Sequence, residues 1–190
     1  MDTRLLRALC IGLIAGTVWA GGAYAAVTVI GSGSAQLCYR AADQGGSPRE
    51  GIAYCNDALG GALTPEDRAA TYVNRGVLEL AMLRINAAQD DFNAGLAINA
   101  NLGEAYVDRG ATLIAQKRFA EAIVDINKGL ALNAKEPHIA YYDRAVADEA
   151  LGNLKAAYDD YRQALIAQPD FKLANEELKR FKIVEKPPGT

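Results

Sequence analysis

Few residues of this 190-residue chain are equipped for covalent or metal chemistry. It has one histidine, His138, and three cysteines, Cys10, Cys38 and Cys55. Nucleophilic catalysis built on histidine needs a nucleophile and an orienting acid around it, and a structural zinc site needs about four soft ligands. His138 follows Pro137 with no such company in sequence and reads as a surface residue. The carboxylate pairs Asp90 and Asp91, Asp148 and Glu149, and Asp159 and Asp160 are adjacent in sequence. On a helix such neighbours diverge by roughly 100° and cannot converge as acid and base. Gly31-Ser32-Gly33, after the apolar Val27 to Ile30, lacks the third glycine and acidic partner of a dinucleotide loop. The sequence therefore predicts no enzyme, no cofactor and no metal, and leaves noncovalent binding as the chemistry available.

Composition narrows the partner. Half of the chain is hydrophobic and the formal net charge is −3, which excludes a disordered or collagen-like chain. It also provides no basic face for gripping phosphate backbones, so nucleic acid is not expected. Arg4 and Arg7 precede an apolar stretch over residues 8–20 and then Gly21, Gly22, Ala23, Tyr24 and Ala25. That order predicts an export signal over residues 1–25, with Ala23 and Ala25 flanking the cleavage point; the alternative is an uncleaved anchor, which would be the chain's only link to a membrane. Cleavage leaves 18 basic and 22 acidic residues, near −4, and two cysteines, Cys38 and Cys55. An even pair in an exported chain predicts a disulfide and a periplasmic or secreted location. Residues 26–34 are expected to form a flexible mature N-terminus.

The elements that position any binding residues emerge from self-comparison. Tyr72-Val73-Asn74-Arg75-Gly76 returns as Tyr106-Val107-Asp108-Arg109-Gly110, shifted by 34, and as Tyr141-Tyr142-Asp143-Arg144-Ala145, shifted by a further 35. Ala88, Ala122 and Ala157 follow the same shifts, as do Asp91, Asp125 and Asp160, and Leu96, Leu130 and Leu165. Each unit carries two apolar stripes at helical spacing around a polar break, which makes it a helical hairpin. Small residues at 76, 110 and 145, and at 88, 122 and 157, stand where the two helices must approach most closely. With Pro169 closing the third unit, the pattern resembles the tetratricopeptide repeat (TPR) family, here as an exported, bacterial-type member. It departs from the common pattern at Arg75, Arg109 and Arg144, where leucine is usual, and at Asn99-Ala100 and Asn133-Ala134, where proline is frequent.

The resemblance implies an all-α, right-handed superhelical solenoid of antiparallel helix hairpins. Three repeats are expected at 69–102, 103–136 and 138–171, within a repeat region spanning 65–171. A degenerate hairpin at 35–62 precedes them, a capping helix at 172–183 follows, and 184–190 form a tail. Ser47-Pro48-Arg49-Glu50 and Thr64-Pro65-Glu66-Asp67 have the cap-proline-acid form of helix starts.

Residues equidistant from the turn of an antiparallel hairpin face one another, so partners share a midpoint inside the turn. Cys38 and Cys55 have theirs between Gly46 and Ser47, so they can meet; closing that loop stabilises by about 3 kcal/mol. Arg75 and Asp91, Arg109 and Asp125, and Arg144 and Asp160 have midpoints at Leu83, Lys117 and Gly152. They are expected to form an ion pair within each repeat, as scaffold and not as a binding site.

In the TPR family the first helices line a concave groove. Here the free stripe is expected to be Val73, Val77 and Leu80, then Val107, Ala111 and Ile114, then Tyr142, Val146 and Glu149, bordered by Asn74, Asp108 and Asp143. Relatives that clamp a partner's C-terminal carboxylate use lysine, arginine and asparagine on this face; this stripe has no basic residue, which argues against that ligand. An extended or helical partner segment with apolar anchors and a basic flank fits better. The groove is alternatively covered by the chain's own Val27 to Ile30 segment. The expected role is a noncatalytic adaptor of the cell envelope, with a self-associating or packed structural subunit as the other reading.

Overall fold

The computed structural model describes residues 5–8, 26–29 and 33–184. Helix α1 (Ser34–Asp43) pairs with α2 (Pro48–Gly60), α3 (Pro65–Ala81) with α4 (Ile85–Ile98), α5 (Gly103–Ala115) with α6 (Phe119–Ala131) and α7 (Pro137–Ala150) with α8 (Leu154–Ala167). The short α9 (Lys172–Leu178) lies against α8. The second helix of each hairpin also packs on the first helix of the next, and α1, α3, α5 and α7 touch in succession along the inner side. The architecture is an all-α solenoid with a continuous core.

Helix starts and turns follow from local chemistry. The Thr64 hydroxyl accepts the Asp67 N–H at 3.0 Å and the Ser47 hydroxyl accepts the Glu50 N–H at 3.4 Å, each just before a proline in the first turn. Inside each repeat the chain reverses through a residue with positive φ: Leu83 at 58°, Lys117 at 61° and Gly152 at 82°. The following N–H then reaches back five residues, Arg84 to the Glu79 carbonyl at 2.9 Å, Arg118 to Leu113 at 2.8 Å and Asn153 to Asp148 at 2.8 Å. This is the wrapping bond that satisfies a helix's last carbonyls when a left-handed residue ends it.

Close approach of the paired helices is set by small residues. Ala88, Ala122 and Ala157 are fully buried beside Phe92, Ile126 and Tyr161. A Cβ on Gly129 would stand 2.7 Å from the Gly103 carbonyl oxygen and 2.6 Å from Val107 Cγ2. The backbones of α5 and α6 are thus nearly in contact, and no larger residue fits without moving them apart.

The structure departs from the sequence reading at both ends. The capping helix expected over 172–183 stops at Leu178, and Phe181–Val184 form a strand, β2. Phe181 is buried against Tyr158 and Tyr161, and the β-branched Ile183 and Val184 favour extended backbone over helix. Its antiparallel partner β1 (Leu5–Ala8) pairs Leu5 with Val184 and Ala8 with Phe181. This strand falls within the expected export signal; the remainder of that segment, residues 30–32 and most of the expected tail lie outside the described residues. Residues 26–34, expected to be flexible, are not loose where they are described. Ala26 and Val29 are buried, and Val29 packs with Ala35, Ala58 and Ala70.

Lys117 is exposed and adopts the left-handed conformation without a glycine. Relieving that backbone cost with Lys117→Gly is expected to raise unfolding free energy by about 0.5 kcal/mol, while Lys117→Val lowers it by about 1 kcal/mol. Urea denaturation of the two variants against the parent checks the sign of both changes.

Candidate functional site

Two sets of polar residues repeat with the hairpins, and they do different work. The outer set is a ladder. Arg75 donates through Nε and Nη2 to both Asp91 oxygens at 2.9 and 2.6 Å. Arg109 binds Asp125 at 2.6 and 2.8 Å, and Arg144 binds Asp160 at 2.6 and 2.7 Å, in the same two-point manner. The third arm, Nη1, donates to an asparagine of the preceding hairpin: Asn56 at 2.6 Å, Asn93 at 2.9 Å and Asn127 at 2.5 Å. Each guanidinium also lies over the ring of Tyr72, Tyr106 or Tyr141, 5.4 to 5.5 Å from its centre. The aspartates are almost covered, so these bonds are screened less than a surface pair.

The asparagines lie outside the shared-midpoint relation, which pairs residues of one hairpin only. Asn93 and Asn127 do recur at the repeat spacing, and that column was the available signal. Its next position is Arg162, which lies over the Tyr158 ring at 5.9 Å. The ladder has no asparagine there to offer a further hairpin. A hollow of about 390 Å³ lined by Tyr158, Arg162, Leu165, Ile166, Leu178 and Phe181 marks this end.

The inner set begins at Asn74. Its side chain is fully buried; Oδ1 accepts the Val27 N–H at 2.7 Å and Nδ2 donates to the Val27 carbonyl at 2.8 Å. One amide thus clasps the N–H and the carbonyl of one residue, with Val27 packed on the cluster of Val73, Val77 and Leu80. The equivalent residues on α5 and α7 are Asp108 and Asp143. Asp108 is 2 % exposed and its Oδ2 has no hydrogen-bond partner. Burial, and then the charges of Asp143, Glu104 and Glu136, push its carboxyl well above the usual range. Burial raises Asp143 to about 7. Glu136, just before α7, is also pushed up by burial, and its Oε2 is buried without a partner.

The rest of the expected stripe is placed differently from the sequence reading. Val73, Val77, Leu80, Val107, Ala111 and Ile114 do not form a free surface; they are buried in the two central core clusters. Amphipathic spacing shows which face is apolar but not whether other chain covers it. Tyr142 is half-buried against Tyr161 and Phe171, its rings 5.6 and 5.5 Å apart, and burial raises its hydroxyl to about 12. Val146 is half-buried between core clusters. Glu149 accepts the Tyr161 hydroxyl at 3.1 Å and the Arg180 guanidinium at 2.6 and 2.7 Å, which makes it a tie to the C-terminal segment. His138 is half-buried and meets Phe171 edge-on at 5.0 Å, with burial lowering its pKa. Cys38 and Cys55 are disulfide-bonded and fully buried. Among the described residues no three His, Cys, Asp or Glu side chains are gathered to hold a metal ion, and no helix is long and apolar enough to cross a membrane.

No protein-family model and no curated protein matches the chain. Solved structures do. The TPR domain of Arabidopsis OM64 superposes with a TM-score of 0.59 at 25 % identity, covering 62 % of this chain and 96 % of that one. The first TPR domain of human RPAP3 gives 0.57 at 26 %, covering 62 % and 91 %. The chain is a TPR solenoid. MamA from Desulfovibrio magneticus, residue 41 to its end, shares the fold at 20 % identity and a TM-score of 0.62, over 77 % of this chain and 82 % of that one. Another RPAP3 TPR structure, similar to this chain at 25 % identity with a TM-score of 0.57 and covering 60 % of it and 90 % of that one, holds the HSP90 peptide SRMEEVD. The TPR fold thus places Asn74, Asp108 and Asp143 in one register along α3, α5 and α7.

Two predictions follow from the paired layers of this TPR chain. Arg109→Lys keeps the charge but cannot span Asp125 and Asn93 together, and is expected to cost about 2 kcal/mol in urea denaturation. Arg109→Ala leaves Asp125 buried and unpaired and costs more, about 3 kcal/mol. Asp143 titrates higher in the folded chain than the ~3.9 of an unfolded aspartate. The folded state therefore binds this proton more tightly, and stability from this group is lost as pH rises from about 4 to about 7. Thermal unfolding across that window should show the decline, and Asp143→Asn should make it shallower, with the raised Asp108 and Glu136 carboxyls contributing the remainder.

Proposed function

We propose that this chain is a noncatalytic adaptor of the cell envelope that holds an extended segment of a partner protein along the inner faces of α5 and α7. The observation that carries this reading is the clasp of Val27 by Asn74. A side chain at the inner register position grips a peptide backbone within the chain itself, and the two following positions carry Asp108 and Asp143, the first with an unpartnered oxygen. Buried polar atoms without partners are rare in folded proteins, and a ligand is one of the few reasons to keep one. The RPAP3 TPR domain bound to a peptide supports the same mode of use. Its peptide is acidic, whereas the inner positions after Asn74 in this chain are Asp108 and Asp143, so a peptide of that kind is not the expected occupant.

Export to the envelope is supported by the Cys38–Cys55 disulfide, which persists in an oxidising compartment, together with the arginine-led apolar N-terminus. Peptide-display selection against the chain tests the binding role, with affinities of recovered sequences measured by fluorescence anisotropy. Mutually competing peptides of micromolar Kd that lose at least tenfold with Asp108→Ala are expected. Recovery of no peptide, or of peptides indifferent to both Asp108→Ala and Asp143→Ala, overturns the reading.

A further inference from the structure

The inner face concentrates negative groups, and among the described residues no cation pairs with Asp108. Asp108 on α5 lies within electrostatic range of Asp143 on α7, of Glu104 one turn earlier on α5 and of Glu136 at the entry to α7. Two oxygens of this group, Asp108 Oδ2 and Glu136 Oε2, are buried without a hydrogen-bond partner. The nearest arginines of the same helices are committed elsewhere: Arg109 to Asp125 and Asn93, Arg144 to Asp160 and Asn127. His138, beside Glu136, is edge-on to Phe171. The carboxylates are not gathered closely enough to chelate a metal ion. What they lack is a single positive charge carried on a stem long enough to reach a buried oxygen from the groove.

We infer that the segment held along α5 and α7 is an extended peptide carrying a lysine or arginine whose cationic head meets Asp108 between Asp143, Glu104 and Glu136. This rests on the peptide-binding reading above and names the chemistry of its ligand. The cationic head of such a side chain donates to the orphaned Oδ2. Charge complementarity favours a cation over an acidic or neutral ligand, since only a cation stabilises the ionised form of the buried carboxyl group. The geometry at Asn74 supplies the backbone half of recognition: one repeat away, the N–H and carbonyl of Val27 are already clasped there by a single side chain.

The test uses the full chain and three fluorescent peptides with both ends capped. Each alternates valine and threonine, as Val27 and Thr28 do, with lysine, norleucine or glutamate at the centre. The lysine peptide should bind at least tenfold more tightly than the norleucine peptide, and the glutamate peptide most weakly. Asp108→Asn should erase the lysine advantage, bringing the lysine and norleucine peptides to within twofold of each other, and Glu104→Gln, at a half-buried position, should reduce it several-fold. Equal binding of lysine and norleucine peptides, in parent and variants alike, overturns the cation inference and leaves peptide binding standing. Binding of none of the three overturns both.

Discussion

The structure depends on one repeated interaction, a guanidinium that spends all of its donors at once. Arg75, Arg109 and Arg144 each use two nitrogens on an aspartate of their own hairpin and a third on an asparagine of the hairpin before, while a tyrosine ring covers the flat face. A solenoid is held only by contacts between neighbours, so a side chain that bridges both the hairpin and the junction couples internal stability to stacking. Leucine in that place would pack but could not orient the next unit. The planar fork of arginine sets angle as well as distance.

That commitment has an electrostatic consequence on the opposite side of the same helices. Arg109 and Asp108 are adjacent in sequence and point to different faces; the arginine is neutralised by Asp125, and Asp108 is left alone. The ladder therefore removes basic charge from where it would relieve the inner face. The raised pKa values of Asp108 and Asp143 are the direct result of burial without compensation. Scaffold and groove are two outcomes of one distribution of charge.

Those features whose cause is local or periodic were legible before any coordinates. The 34-residue shift, the helix starts at Ser47 and Thr64 and the mirror relation of Cys38 with Cys55 all depend on spacing along the chain, which helical geometry converts directly into position. Covering relations were not legible. Whether Val73 and Val107 face solvent depends on what else lies over them, and periodicity carries no information about that. The same limit applied to residues 26–29, where buried Ala26 and Val29 flank half-buried Val27 and exposed Thr28, a stretch too short for its pattern to announce that it packs on the helices. Arg180 shows a third kind of loss. Its bonds to Glu149 span 31 residues and draw the chain out of α9 into β2, an outcome set by tertiary contact over helix propensity.

Asn74 and Asp108 differ by one functional group at equivalent positions, and that difference divides the inner face. An amide offers a donor and an acceptor on one planar group, so it satisfies a peptide's carbonyl and N–H together without regard to sequence. An ionised carboxylate offers acceptors alone and, when buried, demands a positive partner. The first hairpin after the disulfide therefore holds backbone, and the chain's own segment suffices to fill it. The next two positions ask for a side chain of defined charge, which the chain's described residues do not supply to Asp108 Oδ2. In the proposed reading, neutral retention at α3 and charge selection at α5 and α7 follow from a single replacement of nitrogen by oxygen, repeated in register.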